Sequence, residues 1–426
     1  MITGYKKRFL FFIPLIFFGV FYTQAYSLTI DEAMQLAIDK LPSYKAAELK
    51  VKSSEALYDA TLSPYLPSID ASFAKSRHYT QSLDYDSKSY GATLSYLLFD
   101  GGRRYASRDI ARLNLWNQKE ELRKILLDIR FHVKNAFYRA IATRDTVEQR
   151  KIQLEDARKD LEVAEGRHKF GVARLLDVLQ ASVRHEQAKF NLIQAEGDHR
   201  KALSELNSLI GLPYEARNEI KGSLESEMQM PQRESVMEAV LQMPELIQLQ
   251  NLKKISQNNK SLALSEFFPS LSASASYTRT EGRLQGNSSL EDKAIGIVAV
   301  WNIFELGKFF KKKSADLEEG VSEERYNELK RTLQLEAFKA YEDLSTAAGK
   351  LQVAQKQLEL AEHNYKQAFG EYKVGKADIL SLVQAESTLS NAREQLIGSK
   401  LALILAKTAL ERAAGLEKLE LLGAVK

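Results

Sequence analysis

Two hydrophobic periodicities divide this chain. From about residue 103 to 165, apolar and small side chains advance in steps of four and three, through Leu122, Leu126, Ile129, Val133, Ala136, Ala140, Val147, Leu154, Ala157, Leu161 and Ala164. The same register returns in the second half of the chain, through Leu333, Ala337, Ala340, Leu344, Ala347, Leu351, Ala354, Leu358, Ala361 and Ala368. A seven-residue period sustained this long predicts left-handed coiled helices, each a rod of roughly 90 Å at ~1.5 Å per residue. Each rod is expected to turn at Gly166–Gly171 or Gly370–Gly375. A second helix then returns, over about 175–210 and 379–414, on its own register (Leu192, Ala195, Leu206; Leu403, Ala406, Leu410). The many alanines on these seams allow close backbone approach, which suits a thin helical wall rather than a thick globular core.

Four other segments alternate with period two. Ile69, Ala71 and Phe73 are separated by Asp70 and Ser72; Tyr90, Ala92, Leu94, Tyr96 and Leu98 by Gly91, Thr93 and Ser95. Leu271, Ala273, Ala275 and Tyr277 are separated by serines, and Ile295, Ile297, Ala299, Trp301 and Ile303 form the fourth run. Segments of about ten residues with one apolar and one small or polar face carry the pattern of membrane-spanning strands. Phe73, Leu94, Tyr96, Tyr277, Ile297 and Trp301 are therefore expected on a lipid face, with the polar links 76–89 and 279–293 outside. Four strands cannot close a barrel, and an open edge in lipid leaves backbone groups unpaired at several kcal/mol each. A membrane-inserted sheet therefore requires further copies of the chain; two would supply eight strands and three would supply twelve.

Both periodicities occur twice, in the same order. GRHKFGVARLLDVLQA, starting at Gly166, recurs as GEYKVGKADILSLVQA, starting at Gly370; Gly171, Leu176, Gln180, Leu206 and Gly211 match Gly375, Leu380, Gln384, Leu410 and Gly415. Pro42 and Pro67 match Pro244 and Pro269. The chain therefore divides into a first repeat, 28–212, with a strand hairpin at about 67–99, and a second, 230–416, with a hairpin at about 269–304. A linker, 213–229, joins them, and 417–426 form a tail. Residues 1–27 read as a signal peptide: Lys6, Lys7 and Arg8 precede the apolar stretch Phe9 to Tyr22, and Ala25 and Ser27 are small. That stretch reaches only ~21 Å, short of a ~30 Å bilayer core.

Past residue 27, 57 basic side chains balance 56 acidic ones, which gives no reason to expect nucleic acid. The absence of cysteine excludes disulfides, thiolate metal sites and a lipidated N-terminal cysteine. The six histidines are not spaced as metal ligands, and Gly101-Gly102-Arg103-Arg104 lacks the lysine and spacing of a phosphate-binding loop. No nucleophile–base set occurs, so neither catalysis nor a cofactor or metal is expected. An exported coiled-coil scaffold or adhesin stalk without a pore accounts for the heptads alone.

Taken together, the opening LTIDEAMQLAIDKLPSYKAA (28–47), the strand starts YLPSIDASF (65–73) and FFPSLSASASY (267–277), the exits LFDGGRR (98–104) and IFELGKF (303–309), and the turns KFGVARLLDVLQA and KVGKADILSLVQA resemble the TolC family of outer-membrane efflux and type I secretion ducts. The resemblance implies a mainly α protein with membrane β: a long coiled-coil α-barrel continuous with an outer-membrane β-barrel to which each chain of a homotrimer gives four strands. It further implies a passive duct through outer-membrane lipid into the periplasm, met by a periplasmic adaptor and an inner-membrane pump of RND, ABC or MFS type. Gly101, Gly102 and Gly307 would lie where strand becomes helix. Phe170, Gly171, Val172, Val374, Gly375 and Lys376 would form the adaptor-docking tip, with Leu175, Leu176, Val178, Ile379, Leu380 and Leu382 packing the returning helices. The family's pair of aperture aspartates is replaced here by Ser381 and Gln384, leaving Asp378 and Asp177 as the nearest carboxylates to the aperture.

Overall fold

The computed structural model describes residues 27–79, 84–225, 230–282 and 289–419. Residues 1–26, most of the expected signal peptide, lie outside them, as do 80–83 and 283–288 of the hairpin links, 226–229 of the linker and 420–426 of the tail. The chain runs β1 (Ser27–Leu28), α1 (Ile30–Lys40), α2 (Pro42–Ala60), β2 (Ser68–His78), β3 (Tyr85–Phe99), α3 (Arg103–Lys169), α4 (Leu175–Leu209) and β4 (Glu219–Ile220). The second half follows as α5 (Arg233–Val240), α6 (Pro244–Ser265), β5 (Ser270–Gly282), β6 (Ser289–Val300), α7 (Leu306–Lys373) and α8 (Ile379–Ala413).

Helices α3 and α7, of 67 and 68 residues, are each about 100 Å long. They run straight through Gly166 and Gly370, which the sequence reading had placed in the turns. Neither glycine has an atom within 4 Å of where a Cβ would sit, and one mid-helix glycine costs only about 1 kcal/mol. What ends the helices is Gly171 at φ +73° and Gly375 at φ +79°. Gly171 N–H donates to the His168 carbonyl at 2.9 Å and Val172 N–H to that of Arg167 at 2.9 Å; Gly375 and Lys376 repeat the pair on Tyr372 and Glu371. This is the Schellman closure, which needs a left-handed residue. Alanines close the seams: Ala157, Ala164, Ala181, Ala188 and Ala195 in the first hairpin, and Ala347, Ala354, Ala361, Ala385 and Ala392 in the second.

Four antiparallel strands form one sheet in the order β2-β3-β5-β6. Pro67 and Pro269 stand immediately before β2 and β5, while Pro42 and Pro244 open α2 and α6 at the first helical position, where a missing N–H is harmless. The strands extend into both polar links, as far as His78 and Gly282. Beyond its last pair, Ser270↔Val300, β6 has no partner, because Pro269 offers no N–H to continue the ladder. Trp301 and Ile303 therefore fall outside the strand to which periodicity assigned them; the Trp301 indole instead donates to the Phe267 carbonyl at 3.1 Å.

Around the upper helices the short elements make two apolar cores. Ala33 and Ala37 of α1 pack with Val133, Phe137 and Ile141 of α3, and Ile220 and Leu224 of the linker join them. Val236 and Val240 of α5 and Leu246 of α6 pack with Ala337 and Leu344 of α7. The linker therefore has structure of its own: β4 pairs in parallel with β1, and Arg144 donates to the Ile220 and Gly222 carbonyls at 2.9 and 3.0 Å.

Candidate functional site: a membrane face and a helical tip

Pairing register fixes the two faces of the sheet. Phe73 lies opposite Tyr90, Leu94 opposite Ala275, Tyr96 opposite Ala273, and Ala273 opposite Ile297. Since paired residues share a face and faces alternate along each strand, Phe73, Leu94, Tyr96, Tyr277 and Ile297 lie on one side. All five are exposed there, and the Phe73 and Tyr90 rings meet at 5.2 Å. The opposite side carries Ser72, Gly91, Thr93, Ser95, Ser272, Ser274 and Ser276. It is tight as well as polar: a Cβ on Gly91 would stand 2.6 Å from the Ser72 hydroxyl.

Where β3 becomes α3, Gly101 and Gly102 take φ of +67° and +89°. Gly307, by contrast, lies inside the first turn of α7. A side chain not singled out from sequence finishes each joint. Arg104 donates to the Leu97 carbonyl at 2.7 Å, to Leu98 at 3.1 Å and to Pro64 at 3.1 Å, and pairs with Asp100 at 3.2 Å. The Leu97 and Leu98 carbonyls lie at the register shift between Leu97 and Phe99 that interrupts the ladder. Buried Lys308, the counterpart of Arg104 in the second repeat, donates to the Asn302 carbonyl at 2.8 Å. The available signal was a cation recurring at the same repeat position, in the first turn of each exit helix.

At the far end of the rods the two turns lie together. Phe170, Val172 and Val374 are exposed, Phe170 by 81 %, and Gly171, Gly375 and Lys376 share that rim. Arg167 ties one turn to the other. Its guanidinium lies 4.6 Å from the centroid of the buried Tyr372 ring and also donates to the Tyr372 carbonyl. Beneath the rim, Ala164, Ala181, Tyr372, Ile379 and Leu382 form an apolar cluster that Val178 joins. Leu175, Leu176 and Leu380, expected in that packing, remain exposed.

The four aperture candidates separate. Asp378 is the N-cap of α8: its carboxylate accepts from the Ser381 N–H at 2.9 Å and the Ser381 hydroxyl at 2.7 Å, and these bonds hold it below the ordinary carboxylate range. Asp177, expected at the aperture, is instead buried and paired with Arg174 at 3.3 Å, because it sits on the flank of α4 that packs toward Tyr372. Ser381 and Gln384 share an exposed flank of α8 with Leu380. Among the described residues no group of three or more His, Asp or Glu gathers as a metal site, and no helix is long and apolar enough to cross a membrane.

The model of the outer membrane efflux protein family matches residues 33–212 and 238–416, one segment in each repeat. The pyoverdine export outer membrane protein OpmQ of Pseudomonas aeruginosa is 25 % identical over 406 residues, 91 % of this chain and 85 % of that protein. Among solved structures, the Vibrio cholerae outer membrane protein VceC superposes with TM-score 0.79 at 17 % identity, covering 91 % of this chain and 96 % of its own. The outer-membrane channel OprN gives 0.78 at 17 %, covering 91 % and 89 %.

Proposed function

The chain belongs to the outer membrane efflux protein family, and from its place there as an exit duct of the bacterial outer membrane, reaching into the periplasm, we propose how copies of it make a passage. Three copies close into a homotrimer with a twelve-stranded barrel and one hollow helical cylinder. The supporting observation is the pair of bare edges. Inside one chain the repeats join through β3 on β5 and through α3 on α8. Repeat symmetry maps those contacts onto β6 against β2, and α7 against α4, of a neighbouring copy. Those are the surfaces left open: β2 and β6 are outer strands, and Val183, Phe190 and Ile193 on α4 and Val353 and Leu360 on α7 are exposed. Such head-to-tail contacts close as a ring.

In this reading Phe73, Leu94, Tyr96, Tyr277 and Ile297 face outer-membrane lipid, and the serine-rich face lines the bore. Phe170, Gly171, Val172, Val374, Gly375 and Lys376 meet a periplasmic adaptor, behind which an inner-membrane pump of RND, ABC or MFS type supplies the energy. Ser381 and Gln384 line a narrow aperture that is polar but uncharged. The duct itself performs no chemistry, residues 1–27 act as an export signal, and the cargo is either a small effluxed compound or a type I secretion substrate. The test is the native mass of the protein extracted with detergent from outer membranes. A heat-sensitive assembly near three chain masses is expected; a water-soluble monomer or dimer would overturn the reading.

A further inference from the structure

About one heptad from the tip, charged and polar side chains from all four long helices meet in a single layer. Counted from the helix ends at ~1.5 Å per residue, Asp160 of α3, Arg184 of α4, Tyr365 of α7 and Glu386 of α8 lie roughly 10–14 Å from the tip turns. The layer separates two apolar clusters, one around Ala164, Ile379 and Leu382 and the other around Ala361, Leu389 and Ala392, and Tyr365 packs against both.

Charge does not balance along this stretch of the seam. Glu386, 6 % exposed, is held by Arg184 at 3.2 Å and accepts from Gln153 at 3.2 Å. Farther from the tip along the same seam, Arg393 pairs with Asp156 at 3.2 Å, and Arg150 with Glu394 at 2.8 Å. Three arginines are thereby matched to three carboxylates. Asp160, 8 % exposed, is a fourth carboxylate, and among the described residues its single hydrogen bond is donated by the neutral Tyr365 hydroxyl at 3.2 Å. Lys159, next to it on α3, is directed to solvent near Glu155. A buried carboxylate with no cation takes up a proton or drives its surroundings open, because desolvation opposes the charged form.

From this arrangement we infer that the layer is a proton-operated clamp on the tip: protonated Asp160 keeps the two hairpins packed against each other, and ionised Asp160 lets them part. The consequence for transport rests on the duct reading; the clamp itself does not. Burial pushes the Asp160 carboxyl up to about 7; Glu386 and Asp156 add to that rise, while the Tyr365 hydrogen bond and Lys159 oppose it. Once the seam opens to solvent, the group returns to roughly 4. The packed form holds the proton more tightly than the open form. Its advantage is therefore complete below about pH 4 and is lost as pH rises to about 7, by up to tenfold per unit. The device is confined to the seam inside one chain. The second repeat has Asn364 where the first has Asp160, and the first repeat has Leu161, Ser182 and Lys189 where the second has Tyr365, Glu386 and Arg393.

The experiment is amide hydrogen exchange on the full-length protein in lipid nanodiscs from pH 5 to 8, corrected for intrinsic rates. It is read over residues 358–392 and paired with conductance in planar bilayers. Protection is expected to fall at least tenfold between pH 5.5 and 7.5, with open-channel probability rising in step. Asp160→Asn should hold protection at its acid level throughout. Glu386→Gln, which frees Arg184 and removes one neighbouring charge, should move the midpoint to lower pH and serves if the asparagine variant does not assemble. A flat wild-type curve, or a wild-type-like curve in Asp160→Asn, would overturn the clamp. Absence of conductance at any pH would count against the duct alone, leaving the exchange result to judge the clamp.

Discussion

Helix α8 is covered on two flanks within one chain, by α7 and by α3, whereas α4, its counterpart in the first repeat, packs on α3 and has its other flank largely bare. The side chains follow this difference. The outward run of α4 is Leu179, Val183, Phe190 and Ile193, all exposed. Their counterparts on α8 are Val383, Ser387, Glu394 and Ile397; Val383 packs in the tip cluster and Glu394 pairs with Arg150 across the α3 seam. The inner seams of the two hairpins, both alanine-rich, hardly differ. Duplication thus gave two similar hairpins, and the outer flanks diverged according to what covers them. A bare, wholly apolar flank whose counterpart is partly polar and packed within the chain marks a contact that a single chain cannot supply.

The most forceful way to break this comparison is to charge the bare flank. Val183→Asp with Phe190→Asp leaves the inner seam of α4 untouched but places two carboxylates where α7 of the next copy is expected. Apolar contact is lost and the charges are stranded at several kcal/mol each. The trimer fraction should fall at least 100-fold, about 3 kcal/mol, with helical content retained. Native mass and circular dichroism check both halves. A trimer that survives would remove the α7-on-α4 seam.

A second contrast concerns the strand exits. A Cβ on Gly101 would stand 2.8 Å from the Ser265 carbonyl oxygen and 2.9 Å from the Phe268 Cβ, at φ +67°. Gly307 is helical, with only a Glu305 carboxylate oxygen at 3.5 Å. Gly101→Ala should therefore cost about 2–4 kcal/mol, combining left-handed strain with overpacking. Gly307→Ala should stabilise by about 0.5–1 kcal/mol. Thermal dissociation of the assembly, followed by gel shift, compares them directly; equal effects would mean that the two exits are built alike.

The parts of the fold that follow from repetition and local periodicity were legible in the sequence. The seams at Ala136, Ala140, Ala337 and Ala340, the four strands and the shared face of Phe73 and Tyr277 all come from spacings of 3.5 or 2. Features set by one long-range partner were not. Nothing near Trp301 signals that Pro269, at the start of the preceding strand, ends its ladder. Gly166 reads as a turn because glycine usually breaks helices, but its cost is small beside the packing on either side. Asp177 and Asp378 look alike as tip carboxylates; one is buried because its flank meets Tyr372, and the other caps a helix because Ser381 follows three positions later. Arg167 and Asp160 acquire their roles only from Tyr372 and Tyr365, both in the other repeat.

The mildest contrast lies between the two tip turns. Gly171 and Gly375 have the same backbone and the same Schellman bonds, but their surroundings differ. A Cβ on Gly171 meets nothing within 4 Å, whereas one on Gly375 meets the Arg167 guanidinium at 3.6 Å, ordinary contact distance. Alanine at either position must hold a left-handed conformation, at about 1–2 kcal/mol. The two substitutions should therefore lower thermal stability by nearly equal amounts, since the end of a flexible arginine yields readily. A distinctly larger loss for Gly375→Ala would mean that Arg167 cannot move, so that its bridge to Tyr372 holds the two turns in fixed relation. In that case Arg167→Met should reproduce the excess loss, and Gly375→Ala in the Arg167→Met background should cost no more than Gly171→Ala.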